Sequence, residues 1–92
     1  GYKQHIFKKN SKGQYDLVKT LNEDYRLQPS EDNNLYFLKG NRGESQELYQ
    51  FTNNNLVKVN EFNEFYIRDM HIYDNLNMAY LVYQKNGYSL GV

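Results

Sequence analysis

Two stretches of this chain share one layout. "NNLYFLKGNRGESQELYQF" (33–51) and "NMAYLVYQKNGYSLGV" (77–92) each set two apolar bursts around a polar hinge that contains glycine. The likeness extends beyond them. "HIFKK" at 5 and "ELYQF" at 47 lie 42 residues apart, "LVKT" at 17 and "LVKV" at 56 lie 39 apart, and "LYFLKG" at 35 and "YLVYQK" at 80 lie 45 apart. Each offset joins segments of the same character. A period of this size constrains the fold more than any single motif, because each repeat is a supersecondary unit that buries its apolar face only against its neighbours.

The units read as β. "YKQHIFKK" (2–9) alternates polar and apolar residues and ends at the turn signal "NSKG"; "QYDLVKTL" (14–21) returns as its hairpin partner. A short strand around Tyr25–Leu27 is limited by Pro29, which cannot donate to a central ladder. "LYFLKG" (35–40), "ELYQF" (47–51), "LVKVNEF" (56–62), "YIRDMHIYD" (66–74), "MAYLVYQ" (78–84) and "YSLGV" (88–92) complete the series. The chain holds 13 Asn, a residue that tolerates left-handed backbone and bonds to neighbouring amides, so it belongs in the turns. Four strands per unit at this period is the pattern of propeller blades. The expected fold is all-β and antiparallel, about two propeller-like four-stranded blades in a single domain over 1–92, with repeat units at roughly 5–46 and 47–92. The strands would fall as a pair, then four, then three. A small β-sandwich is the alternative. A mixed α+β fold also stays open, because Phe62, Phe65, Tyr66, Asp69, Tyr73, Leu76 and Tyr80 nearly follow helical spacing and no Gly or Pro interrupts residues 44 to 86.

"NNLYFLKGNRGESQELYQFTNNNLVKVNEF" and "IRDMHIYDNLNMAYLVYQKNGYSLGV" resemble repeats of TolB-like and related bacterial surface β-propellers. Those repeats use an aromatic strand, a polar turn, "LY" plus a polar residue, a short Asn/Asp/Gly turn and a further apolar strand. Where they usually carry Asp-Gly in the turns, this chain has "TNNN" and "DNLN". The resemblance implies a location outside the cytoplasm, at the cell surface or beyond, and carries over no functional residue.

Few units have a consequence. Incomplete sheets leave apolar surface and open strand edges, which invite association. The chain, beginning at Gly1, is therefore expected to be a piece of a larger parent protein, to assemble as a homo-oligomer, or to fold its sheets onto each other. One exchange would let residues 14–21 complete the sheet that contains residues 78–92.

Composition removes several function classes. Formal net charge is zero, with 11 basic and 11 acidic residues, and the densest basic run is only Lys8, Lys9 and Lys12. A nucleic-acid partner is not expected, since phosphate contacts dominate such affinity. No apolar run approaches the ~20 residues of a membrane span. Cysteine is absent, which removes thiolate zinc sites and cysteine nucleophiles.

Catalytic constellations are thin. The histidines are His5 and His71, and "GYSLG" around Ser89 lacks the strand–turn–helix context of a nucleophile elbow. Asp69, His71 and Asp74 in "DMHIYD" form the only metal corner worth testing, against the simpler reading of a polar strand face. The pairs Glu23–Asp24, Glu31–Asp32 and Glu61/Glu64 sit in turn-like segments, where solvent keeps carboxylates ordinary. No enzyme activity and no cofactor are expected. The aromatics remain: exposed Tyr on a rigid sheet offers large contact area, little rotamer entropy and a polar tip. Tyr36, Tyr49, Tyr73, Tyr80 and Tyr83, with Arg42 at a hairpin tip, are the candidate binding residues. Such a surface suits a protein, a peptide or a glycan, and the expected role is a binding or assembly module. The alternative is an accessory or sensory part of a larger surface protein or enzyme.

Overall fold

Alternating side chains and Asn-rich turns produce the expected ladders. A computed structural model describes residues 1–74, 77–84 and 87–91, with side chains followed as far as Ala79. Among the described residues there are nine strands and no helix: β1 (Lys3–Lys9), β2 (Tyr15–Asn22), β3 (Arg26–Gln28), β4 (Leu35–Lys39), β5 (Gln46–Thr52), β6 (Asn55–Phe62), β7 (Ile67–Ile72), β8 (Met78–Gln84) and β9 (Gly87–Gly91). They pair antiparallel in chain order as sheets of two, four and three strands, β1-β2, β3-β4-β5-β6 and β7-β8-β9. The helical spacing noted over 62–80 loses to strand here. Ile67, Met70 and Ile72 are buried around a register shift between Ile67 and Asp69, so one extra residue disguises a period of two. Pro29 sits just beyond β3 and holds it to three residues. The sheets span 3–22, 26–62 and 67–91, so a unit boundary at 46/47 falls inside the four-stranded sheet.

The turns are built from the residues that tolerate them. Asn53 and Asn54 both take positive φ, 51° and 62°, giving a two-residue turn whose twist suits a right-twisted hairpin. Gly40 takes φ of +130°, and a Cβ there would come within 2.6 Å of the Ser45 carbonyl oxygen. Only glycine fits at that start of the β4–β5 turn.

The core lies between the four-stranded sheet and β7. Tyr36 and Leu38 from β4, Leu48 from β5 and Phe62 from β6 pack with Ile67, Met70 and Ile72 of β7, and Val59 and Met78 border them. β7 is fastened at both ends. At one end the buried Gln46 side chain imitates a strand: its Oε1 accepts from Ile67 N–H at 2.6 Å and its Nε2 donates to Ile67 C=O at 2.9 Å. At the other, Ile72 N–H donates to the Pro29 carbonyl (3.0 Å) and Glu31 N–H to the Ile72 carbonyl (2.9 Å), a short parallel contact at Ser30. A buried amide that completes both of a strand's backbone bonds satisfies groups that would otherwise cost about 1–3 kcal/mol each.

β1-β2 stands apart from this core. Its base is tied by Gln4 Nε2, which donates to the carbonyls of Asn22 and Tyr25, and Leu21 is buried beside that junction. The radius of gyration is 14.7 Å, against about 12 Å for a compact chain of this length. The molecule is correspondingly long, 52 × 31 × 19 Å.

Candidate functional site

The exposed apolar residues concentrate on the β1-β2 hairpin. Register places Phe7 opposite Leu17, Lys9 opposite Tyr15 and His5 opposite Thr20. Directly opposed residues share a face, and Phe7, Tyr15 and Leu17 are 56%, 68% and 56% exposed. His5 Nδ1 lies 3.0 Å from Thr20 Oγ1 and the His5 ring 6.4 Å from that of Phe7, while Lys9 Nζ sits 6.0 Å above the Tyr15 ring. The other face carries Ile6 and Val18, half-buried, and Leu21. A two-stranded hairpin with apolar residues on both faces is marginal by itself in water. None of Phe7, Tyr15 and Leu17 belongs to the sequence-derived set; the apolar residue on both sides of "HIFKK" is the signal that marks such a hairpin as needing cover twice.

A second feature sits at one end of the larger sheet. In a meander alternate connections lie at the same end, so the β4–β5 turn meets the β6–β7 connection. Between them opens a cleft of about 310 Å3, lined by Glu44, Ser45, Asn63, Glu64, Phe65 and Tyr66. Glu44 Oε1 accepts the Asn41 N–H at 3.0 Å, and Ser45 Oγ donates to Asn63 Oδ1, joining the two walls. Arg42, the predicted tip residue, lies with its guanidinium 5.5 Å above the Tyr66 ring.

The tyrosines chosen from sequence scatter. Tyr36 is a core residue, 1% exposed, and is therefore removed from any surface. Its hydroxyl donates to Asp32 Oδ2 at 2.5 Å, so the buried phenol keeps the partner that burial demands. Burial pushes the Asp32 carboxyl up but is outweighed by hydrogen bonds from Ser30, Tyr36 and Asn34, which bring it down to about 2. Burial and the same Asp32 contact push Tyr36 up to about 12. Tyr49 is half-buried on the opposite face, edge-on to Tyr25 at 5.6 Å, and its hydroxyl donates to Glu47 Oε1 at 2.9 Å. Burial and that bond raise the Tyr49 pKa, while the Tyr49 and Lys58 hydrogen bonds lower that of Glu47. Tyr73 is exposed and its ring lies 4.6 Å from that of His71. The side chains of Tyr80 and Tyr83 lie outside the described residues.

The metal corner does not assemble. Asp69 pairs with Arg68 at 3.3 Å, His71 Nε2 meets Glu31 Oε2 at 3.0 Å, and Asp74 closes a turn with Asn77. Among the described residues no three potential ligands converge on one point. Of the other paired carboxylates, Glu31 and Asp32 are engaged as above and Glu61 holds Lys58 at 3.2 Å.

Comparison of the chain with protein-family models, with curated proteins and with solved structures gives no match.

Proposed function

We propose that this chain is a binding or assembly module, without catalytic chemistry, that offers an aromatic-bearing β surface to a protein, peptide or glycan. The observation that carries the reading is the face of β1-β2 bearing Phe7, Tyr15 and Leu17: large, rigid and apolar side chains on open-edged strands. Propeller-like organisation is part of the proposal. Its supports are the strand groups of two, four and three, and the resemblance to bacterial surface repeats. A further support is that the first strands of neighbouring sheets, β3 and β7, approach each other in parallel sense, bridged at Ser30 and Ile72. The same resemblance favours a role at the cell surface. The incomplete sheets of two and three strands also favour a second reading, an accessory part of a larger surface protein.

The experiment is binding of the full chain to immobilised peptide and glycan arrays and to itself, compared with the double variant F7S/L17S. Binding lost at least tenfold with an unchanged circular dichroism spectrum supports the reading. Binding equal in the two proteins, or no binding on any arm, contradicts it.

A further inference from the structure

The hairpin whose Phe7 face is uncovered among the described residues also differs in charge from the rest of the chain. Residues 1–22 carry Lys3, Lys8, Lys9, Lys12 and Lys19 against Asp16 alone, a formal +4. Because the whole chain is neutral, residues 23–92 carry −4. Zero net charge therefore conceals a basic hairpin and an acidic remainder.

The basic end is also a built one. At the tip Asn10 Oδ1 accepts from the backbone N–H of Lys12 and Gln14 at 2.9 and 3.0 Å, and Gly13 N–H donates to the Asn10 carbonyl at 3.0 Å. Gly13 takes the φ of +80° that closes the turn. Lys8, Lys9 and Lys12 are exposed around this tip, whose backbone is already ordered, so docking orders chiefly the lysine side chains. The cleft between the β4–β5 turn and the β6–β7 connection has the complementary character. Glu44 and Glu64 line it with Phe65 and Tyr66; Arg42 already covers the Tyr66 ring and Glu61, at the margin, is paired with Lys58, so Glu44 and Glu64 carry its acidic character. Its 310 Å3 has room for one or two long side chains, not for a folded unit. Ammonium groups between carboxylates and aromatic rings gain from both charge pairing and the ring faces.

We propose that the occupant of this cleft is the lysine-bearing tip of the β1-β2 hairpin of a second copy of this chain. The inference rests on the assembly reading above and deepens it by naming the partner and both surfaces. Because tip and cleft are different surfaces, the contact either closes reciprocally into a two-fold dimer or runs head-to-tail, each copy keeping one of each surface for the next. Docking brings Phe7, Tyr15 and Leu17 beside the neighbouring molecule, where their apolar area leaves water. Exposed charge pairs are screened within about 8 Å at physiological salt, so the contact weakens as salt rises.

The test is sedimentation of the full chain across a concentration series at low and high salt, with two charge-reversed variants, K8E/K9E/K12E and E44K/E64K. All five positions are exposed, and circular dichroism with a thermal melt confirms that each variant is folded. The wild type is expected to associate at low salt and to dissociate as salt is raised. Either variant alone is expected to associate at least tenfold more weakly, and an equimolar mixture of the two to recover association, because each reversed surface finds its complement. A wild type that stays monomeric at every concentration overturns the proposal. So does association that ignores both reversals, or that the mixture does not restore. A monomeric protein that still binds an array through Phe7 and Leu17 ends this inference alone and leaves the binding-module reading standing. Capture of nucleic acid or anionic polysaccharide by the basic tip, with no self-association, likewise overturns it.

Discussion

The β1-β2 and β5-β6 hairpins have one shape and two fates. In each, the register shifts at the same step: between Ile6 and Phe7 on β1, and between Leu48 and Tyr49 on β5, 42 residues later. The extra residue opposite is Val18 in one and Val59 in the other. Yet Leu48 is wholly buried where Ile6 is half-buried, and of the two half-buried valines Val59 packs against the core. At the next position Tyr49 is flanked by Tyr25, while Phe7 faces water. Local sequence therefore sets the bulged hairpin, and neighbours decide whether it is a core or a surface. β5-β6 has β4 along one edge and β7 across one face; the described structure gives β1-β2 neither.

Four measurements break or sharpen that comparison, from the largest effect to the smallest. Leu48→Ala should destabilise by about 2–5 kcal/mol in urea, since it removes wholly buried methyl groups from a packed site. Ile6→Ala, its counterpart, should cost under about 1 kcal/mol; equal losses would erase the distinction. Gln46→Ala should cost about 2–4 kcal/mol by leaving both backbone groups of Ile67 without partners; its counterpart 42 residues earlier, Gln4, makes the corresponding bond to the Tyr25 carbonyl from a less buried site, so Gln4→Ala should cost less.

The third concerns acid and base. Asp32 ionises in the folded state near 2, below the unfolded carboxylate, so its contribution is present above about 4 and fades as pH falls toward 2. Tyr36 is raised to about 12, so its share persists below about 10 and fades as pH climbs through 12. Asp32→Asn should flatten the acid limb of stability against pH; an unaltered acid limb would show that the Tyr36–Asp32 bond is not what anchors the β3–β4 turn. The smallest effect is Phe7→Ser, expected within about 0.5 kcal/mol of wild type because the ring is already in water. A loss like that of Leu48→Ala would mean that Phe7 is covered.

Sequence made the strands legible because Asn and Gly turns separate them cleanly, and it showed the pattern of two, four and three. It misaligned one return strand. "LVKT" and "LVKV" match at 39, but the shared bulge pairs Val18 with Val59, 41 apart, because the first hairpin loop is longer. Both offsets are odd, so inward and outward faces survive the error. The surface residues were less legible. Tyr36 lies within β4 and Tyr73 just past the end of β7, in segments of similar sequence character, and their neighbours bury one and leave the other exposed. The Gln46 contacts with Ile67 were invisible for the same reason: a Gln at the start of a strand reads as solvent-facing until something is seen to pack over it.

Native-state hydrogen exchange on the full chain at dilute concentration tests the central claim most directly. Amides of β5, with Ile67 and Ile72, are expected to exchange only through global unfolding. Amides of β1 and β2, held in the same bulged ladder, are expected to exchange at least a hundredfold faster, which is about 2.7 kcal/mol less protection. Equal protection of the two hairpins in the dilute monomer would contradict the account.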